Sequence, residues 1–382
     1  MPTNLLHTPK KLFVVVALGL ALSSCGSNSP AHFCAVPASS GPTCICPGTG
    51  SCPIMLNQYL YTSGDSGQIL TFNIDSTTGA LTGPFGSATG PASMGMAVVD
   101  NQFLFVSDPL HAQLDGFSIN QNGTLGADAG SPFAIGHPSI PTGLVSPSGS
   151  NLLYVAEDGE VDAFNIGANG TPTAVTGSPF PSGTNLFLTT DPYGKFLYTS
   201  IDDPPGGIFG FTIGATGALT EIAGSPFTIP GQTVANSQPS GIVDNATYVY
   251  VALSGSNQIA GFSVASDTGA LTPVPNSPFA AGTEPMALVL TNSFLYAINA
   301  VDFTVSGYSV NSSTGELTPL ANSPFAIAGT AIAADFTGQY LYVPAGPGIQ
   351  AFNIDSTTGN LSPISGSPFT ASGVVSLTVV PE

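Results

Sequence analysis

Short apolar runs alternate with polar turns along almost the whole chain. Beyond the first two dozen residues no long segment repeats its apolar positions at helical spacing. The runs themselves recur. An aromatic followed two residues later by Ile or Val returns at Phe72, Phe117, Phe164, Phe211, Phe262, Tyr308 and Phe352, every 44–51 residues. A fixed period of that size marks a repeat architecture. Each repeat holds four strand candidates. The first follows a Pro or Gly, at 94–99, 143–145, 186–189, 241–243, 286–290, 331–334 and 374–379. The second is aromatic and alternating, from Tyr59-Leu60-Tyr61 to Tyr340-Leu341-Tyr342. The third carries the recurring aromatic. The fourth follows a Gly-containing turn and ends at a Pro-Phe corner, from Pro84-Phe85 to Pro368-Phe369.

Four short antiparallel strands per repeat predict the blade of a β-propeller, so the fold class is all-β with seven blades. The middle strands are apolar on both faces, and each blade therefore needs a neighbour on either side, which closes a ring. The order of the runs also accounts for the two ends. The first repeat opens at Tyr59 with its second strand, and 374–379 is a spare first strand. The C-terminal strand should complete blade 1 and cover two sheet edges that would otherwise invite pairing. The turn Asp75-Ser76-Thr77-Thr78-Gly79 reads as structural: Asp and Ser bond back to the local backbone, and Gly79 takes a left-handed conformation.

The first 57 residues do not join this pattern. Lys10 and Lys11 precede a short apolar run over 12–22, and Leu22-Ser23-Ser24-Cys25 reads as a lipobox whose Cys25 takes a lipid. The run is too short for the ~20 residues of a spanning helix. The expected organisation is a lipoprotein signal peptide at 1–24, an anchor and spacer at 25–57, and the propeller at 58–382. Gly26 after the cysteine, with no aspartate, favours the bacterial outer membrane or cell surface. Cys34, Cys44, Cys46 and Cys52 lie in a Pro/Gly/Ser-rich stretch and read as two disulfides of an oxidising compartment. A Cys44–Cys46 bridge would be strained. Cys34–Cys44 with Cys46–Cys52, and Cys34–Cys46 with Cys44–Cys52, both stay open.

Charge narrows the partners. The chain has three basic residues, Lys10, Lys11 and Lys195, and a net charge of −19. Loss of residues 1–24 removes two lysines and no acid, so −19 becomes −21. Such a body repels phosphate backbones, which excludes nucleic acid, and it meets a membrane only through the Cys25 lipid. With 7% of residues charged, solubility rests on Ser, Thr, Asn and Gly, a surface suited to an acidic exterior.

Three features resemble the seven-bladed lactonase-type propeller family, which includes the 6-phosphogluconolactonase and carboxymuconate-cyclase relatives. They are the Phe/Tyr-Leu-Tyr strand, the hairpin Phe72-Asn73-Ile74-Asp75-Ser76-Thr77-Thr78-Gly79-Ala80-Leu81, and Asp191-Pro192-Tyr193-Gly194-Lys195-Phe196-Leu197-Tyr198. The resemblance covers roughly residues 57–380. It implies hydrolysis of a sugar lactone, with basic and histidine side chains at one end of the channel. No arginine is present to meet a phosphate, so 6-phosphogluconolactone itself is disfavoured.

In propellers, ligands usually meet the face formed by the loops joining second to third and fourth to first strands. Here those loops hold Asp65, Asp108, His111, Glu157, Asp158, Glu160, Asp202, Asp203, Asn257, Asn299 and Asp302, together with His137 and Glu284. Lactone opening needs a base and an oxyanion stabiliser. His111 or His137 could be the base, oriented by Asp108 or Glu157. The carboxylates could instead hold Ca²⁺, although no cofactor is required. Solvated turn acids are the plainer reading, since no fixed-spacing motif links these residues. The lead expectation is a binding or scaffold module for a small molecule, glycan or protein. The alternatives are a hydrolase of an uncharged lactone or related ester, and a structural surface protein. A closed ring leaves no edge to pair, so the expected state is a monomer.

Overall fold

The computed structural model describes residues 58–64, 67–90, 95–136, 140–201, 206–232, 237–371 and 373–381. Cys25, Cys34, Cys44, Cys46 and Cys52 lie outside them, so the lipid and disulfide expectations fall on residues not described. The compact unit from Met55 to Glu382 is a seven-bladed β-propeller whose blades run fourth-third-second-first with antiparallel pairing, blades 3 and 4 being joined in one seven-stranded sheet. First strands touch one another all the way round: Met96–Val99, Leu144–Val145, Phe180–Thr190, Pro239–Asp244, Pro285–Leu290, Ala333–Ala334 and Val374–Pro381, which returns to Met96–Val99.

Burial follows the apolar pattern. Second strands such as Phe103–Asp108 and Tyr248–Leu253 are buried at every position, because both of their faces lie in seams between blades. Leu104 and Val106 pack with Tyr59, Tyr61 and Ile69 of blade 1, while Phe103 and Phe105 pack with Leu153, Val155 and Phe164 of blade 3. A blade taken alone would expose both stripes to water, at about 1.5–3 kcal/mol for each large side chain. The ring is therefore the folding unit.

Closure occurs as the ends of the sequence require. Val374–Pro381 pairs antiparallel with Gln58–Gly64, setting Leu60 opposite Val379. Ser63 and Ser376 share a hydroxyl hydrogen bond of 3.0 Å. Tyr342 of the last blade donates its hydroxyl to the carbonyl of Gly79 in the first, at 2.9 Å. Gly79 needs its freedom: its φ is +69°, and a Cβ there would fall 2.3 Å from the Tyr340 ring.

The fourth strand departs from the expectation of one run ending at Pro-Phe. In blade 2, Leu125–Ala127 pairs with Phe117–Ile119, and the chain then leaves the sheet through the cis Ser131-Pro132 bond. Phe133–Ala134 returns to pair with Gln113 and Leu114. The gap leaves the Gly116 amide without a strand partner, and the Ser131 Oγ accepts it at 2.9 Å. Ser178, Ser225, Ser277, Ser323 and Ser367 do the same in later blades, so the Ser of each cis Ser-Pro corner has a hydrogen-bonding reason.

Candidate binding face

The tip of blade 2 brings two of the expected residues together. Phe103–Asp108 ends in the buried Asp108, and the chain turns through Pro109, Leu110, His111 and Ala112 before Gln113–Ile119 begins. Asp108 Oδ1 accepts the amides of Leu110 and His111, at 3.1 and 3.2 Å. Its Oδ2 accepts the Gln113 side-chain amide at 3.1 Å and lies 2.7 Å from His111 Nδ1. A carboxylate acceptor draws the proton to Nδ1 and leaves Nε2 as the acceptor, on a side chain 68% exposed. This is base geometry. Asp115, paired with Val106 on the next strand, joins the group electrostatically. Burial and the charge of Asp108 push its carboxyl above the ordinary aspartate value, with His111 opposing. Position 115 sits inside the strand Gln113–Ile119, where no loop pattern marks it.

Blade 3 corrects an expectation. Glu157, Asp158 and Glu160 do not lie in a loop, because Leu152–Ile166 is one continuous fifteen-residue strand bent at Gly159. The bend persists because Asp158 to Val161 pair with the incoming strand Phe180–Thr190, and Thr184 donates its hydroxyl to Asp158 at 3.2 Å. Glu157 is fully buried, so it is not displayed on the surface.

Blades 5 and 6 turn four expected ligand-face residues into a clamp. Three successive amides of the connection entering blade 6 each donate to a side-chain oxygen. Gly282 donates to Asn299 Oδ1 at 3.2 Å, Thr283 to Asp302 Oδ2 at 2.5 Å, and Glu284 to Asn257 Oδ1 at 2.9 Å. Asn299 also donates to Thr304 and Ser306, both at 2.9 Å. The Ala300 amide closes the loop pair by donating to the Glu284 carbonyl at 2.9 Å. The Thr283 amide holds the exposed Asp302 carboxyl below the usual aspartate value. On this frame stand Val301 and Phe303, the latter 65% exposed with a φ of +54°. A bulky residue in that region is uncommon and needs surroundings that hold it there.

Leu110, Ile140 and Met286 are the other large apolar residues exposed at this end among the described residues, whereas Tyr193 and Phe336 belong to the opposite one. Lys195, the propeller's one basic side chain apart from histidine, also lies at the opposite end. Its Nζ donates to the Ser266 carbonyl at 3.1 Å and stands over the Phe196 ring. Asp65, His137, Asp202 and Asp203 lie outside the described residues. Among the described residues, no cluster of three or more His, Cys, Asp or Glu is arranged to hold a metal.

The fold is a seven-bladed propeller, with the Asp108–His111 pair and the three-amide clamp in loops at one end. The family model described as lactonase, 7-bladed beta-propeller, matches residues 211–334. Over those residues the chain resembles the lactonase-type propellers. Similar solved structures include a candidate 6-phosphogluconolactonase of Bacteroides uniformis, at 17% identity and a TM-score of 0.72, covering 85% of this chain and 99% of that one. The periplasmic gluconolactonase PpgL of Pseudomonas aeruginosa is similar at 17% identity and a TM-score of 0.68, again covering 85% of this chain and 99% of its own. At such identity the likeness speaks for the fold. No curated protein matches the chain by sequence.

Proposed function

We propose that this protein is a lipid-anchored, extracytoplasmic binding module that uses the loop face of blades 2, 5 and 6 to hold an uncharged ligand with apolar faces, a glycan above all. The observation that carries this reading is the three-amide clamp, which holds Val301 and Phe303 exposed in a fixed geometry before any ligand arrives. A rigid frame lowers the ordering entropy of binding, and an exposed aromatic is the usual anchor of such a surface. The charge of −19 disfavours anionic ligands. The test is calorimetric titration of neutral oligosaccharides into the mature protein. Phe303→Ala should weaken binding about tenfold, the effect of losing ~1.4 kcal/mol at an anchor. Equal affinity in wild type and variant refutes the reading.

The Asp108–His111 contact of 2.7 Å favours a second reading, hydrolysis of an uncharged lactone or related ester with His111 as general base. Asp108 would orient the imidazole, and the raised Asp115 carboxyl could return the proton to the departing alkoxide. Among the described residues no lysine or arginine stands at this end to meet the oxyanion, because Lys195 belongs to the other end. Lactone hydrolysis measured with and without Ca²⁺, using His111→Ala as control, separates the readings. Turnover lost in that variant would support the hydrolase, and no turnover in wild type would remove it.

A further inference from the structure

Six of the seven seams carry the same bond. The second-strand tyrosine of one blade donates its hydroxyl to the carbonyl of a turn glycine in the next: Tyr61 to Gly123, Tyr154 to Gly217, Tyr198 to Gly269, Tyr250 to Gly315, Tyr296 to Gly359 and Tyr342 to Gly79. The distances run from 2.6 to 2.9 Å. Between blades 2 and 3 that hydroxyl is missing, because Phe105 stands in the tyrosine's place.

The same seam differs at a second position. Val175, Ile222, Val274, Leu320 and Ile364, each the residue just past a fourth strand, pack against the turn glycine at five other seams. Here the residue is Asp128. Its Oδ2 lies against Gly170, so that a Cβ on this glycine would fall 2.5 Å from it. Asp128 is 8% exposed, and Oδ2 has no hydrogen-bond partner among the described residues. An aspartate in an apolar position, against the one turn glycine whose seam lacks the tyrosine hydroxyl, places the two departures together.

We propose that Asp128 is a proton-operated latch between blades 2 and 3, whose protonated carboxyl donates to the Gly170 carbonyl in place of the absent tyrosine hydroxyl. When the proton leaves to water, the carboxylate has no donor to offer and two acceptors face each other, which loosens the seam. The titratable groups on the surrounding elements are Asp108 and Asp115 of its own blade, and Glu157, Glu160 and Asp162 of the next. Burial alone holds the Asp128 carboxyl above the ordinary aspartate value. The sign follows from that direction: the folded state takes up its proton more readily than the unfolded chain. The stabilisation is full below the unfolded value of 3.8 and is lost as pH rises through the folded one.

The experiment compares urea unfolding of the wild-type chain, Asp128→Asn, Asp128→Val and the double variant Phe105→Tyr/Asp128→Val at pH 4 and pH 8. Asn keeps a donor at every pH, and the double variant adopts the arrangement of the other seams. Relative to Asp128→Asn, the wild-type folding equilibrium constant should fall about fivefold between the two pH values, the effect of one net hydrogen bond. The double variant should hold a constant ratio to Asp128→Asn and exceed Asp128→Val. A wild-type ratio that stays constant with pH, or a double variant no more stable than Asp128→Val, overturns the latch. Should Asp128→Val fail to fold, the wild-type comparison with Asn still decides.

Discussion

Asp244 offers a quantitative test of how the seams treat charge. It ends the first strand of blade 5, opposite Val249 in the ladder. The same register position holds Val98 in blade 2, Leu290 in blade 6, Ala334 in blade 7 and Val379 in blade 1, with Thr190 in blade 4. Asp244 therefore occupies an apolar place in the seam with blade 4. Its Oδ1 accepts the Ala246 amide, while Oδ2 accepts no hydrogen bond among the described residues. Burial, only partly offset by that amide and reinforced by Asp191, pushes its carboxyl from 3.8 up to about 7. Between these values the folded state holds more proton than the unfolded chain, so stability falls as pH rises. At about 1.4 kcal/mol per unit, the loss accumulates to about 4 kcal/mol by pH 8. That is a large part of the ~5–15 kcal/mol that holds a domain folded. Asp75, Asp302 and Asp355 act in the opposite sense, since backbone amides lower their values and their contribution is lost on acidification. The measurement is therefore a difference: urea unfolding of wild type and Asp244→Asn from pH 4 to 8. The two curves should diverge as pH rises, with the variant gaining on wild type, and Asp244→Leu should be the more stable protein at pH 8. Curves that run parallel over the whole range refute the argument.

Deleting residues 374–382 removes Leu377, Val379 and Val380 from two seams, about 5 kcal/mol of apolar burial, and strips Gln58–Gly64 of its partner. The product should be aggregated or unfolded, and an unchanged Tm speaks against ring closure. Tyr342→Phe leaves the Gly79 carbonyl unmet in the closing seam and should lower stability by ~1 kcal/mol in denaturant unfolding. Asp302→Ala frees the Thr283 amide, so hydrogen exchange at 282–284 should quicken while the ring's Tm hardly moves. Unaltered exchange there removes the clamp.

The blades could be read from the chain because their signals are local and repeated. Phe72, Phe117 and their successors mark each third strand, Asp75 and Gly79 mark its turn, and the spare run at 374–379 announces the closure. Asp108 and His111 were legible for the same reason, being three residues apart at one hairpin tip. The clamp was not. Asn257, Asn299 and Asp302 reach amides 17–27 residues away, so acids and amides read as open ligand groups turned out to be bonded to backbone. Glu157 looked like a loop residue until pairing with Phe180–Thr190 carried the strand straight through it. Asp128 and Asp244 are ordinary turn-side acids in the sequence, and only their place in a seam gives them weight. Periodicity along the chain determines which elements form and how many. Burial and the identity of a partner arise when blades far apart in sequence are pressed together, and those two quantities decide which polar groups are left to act.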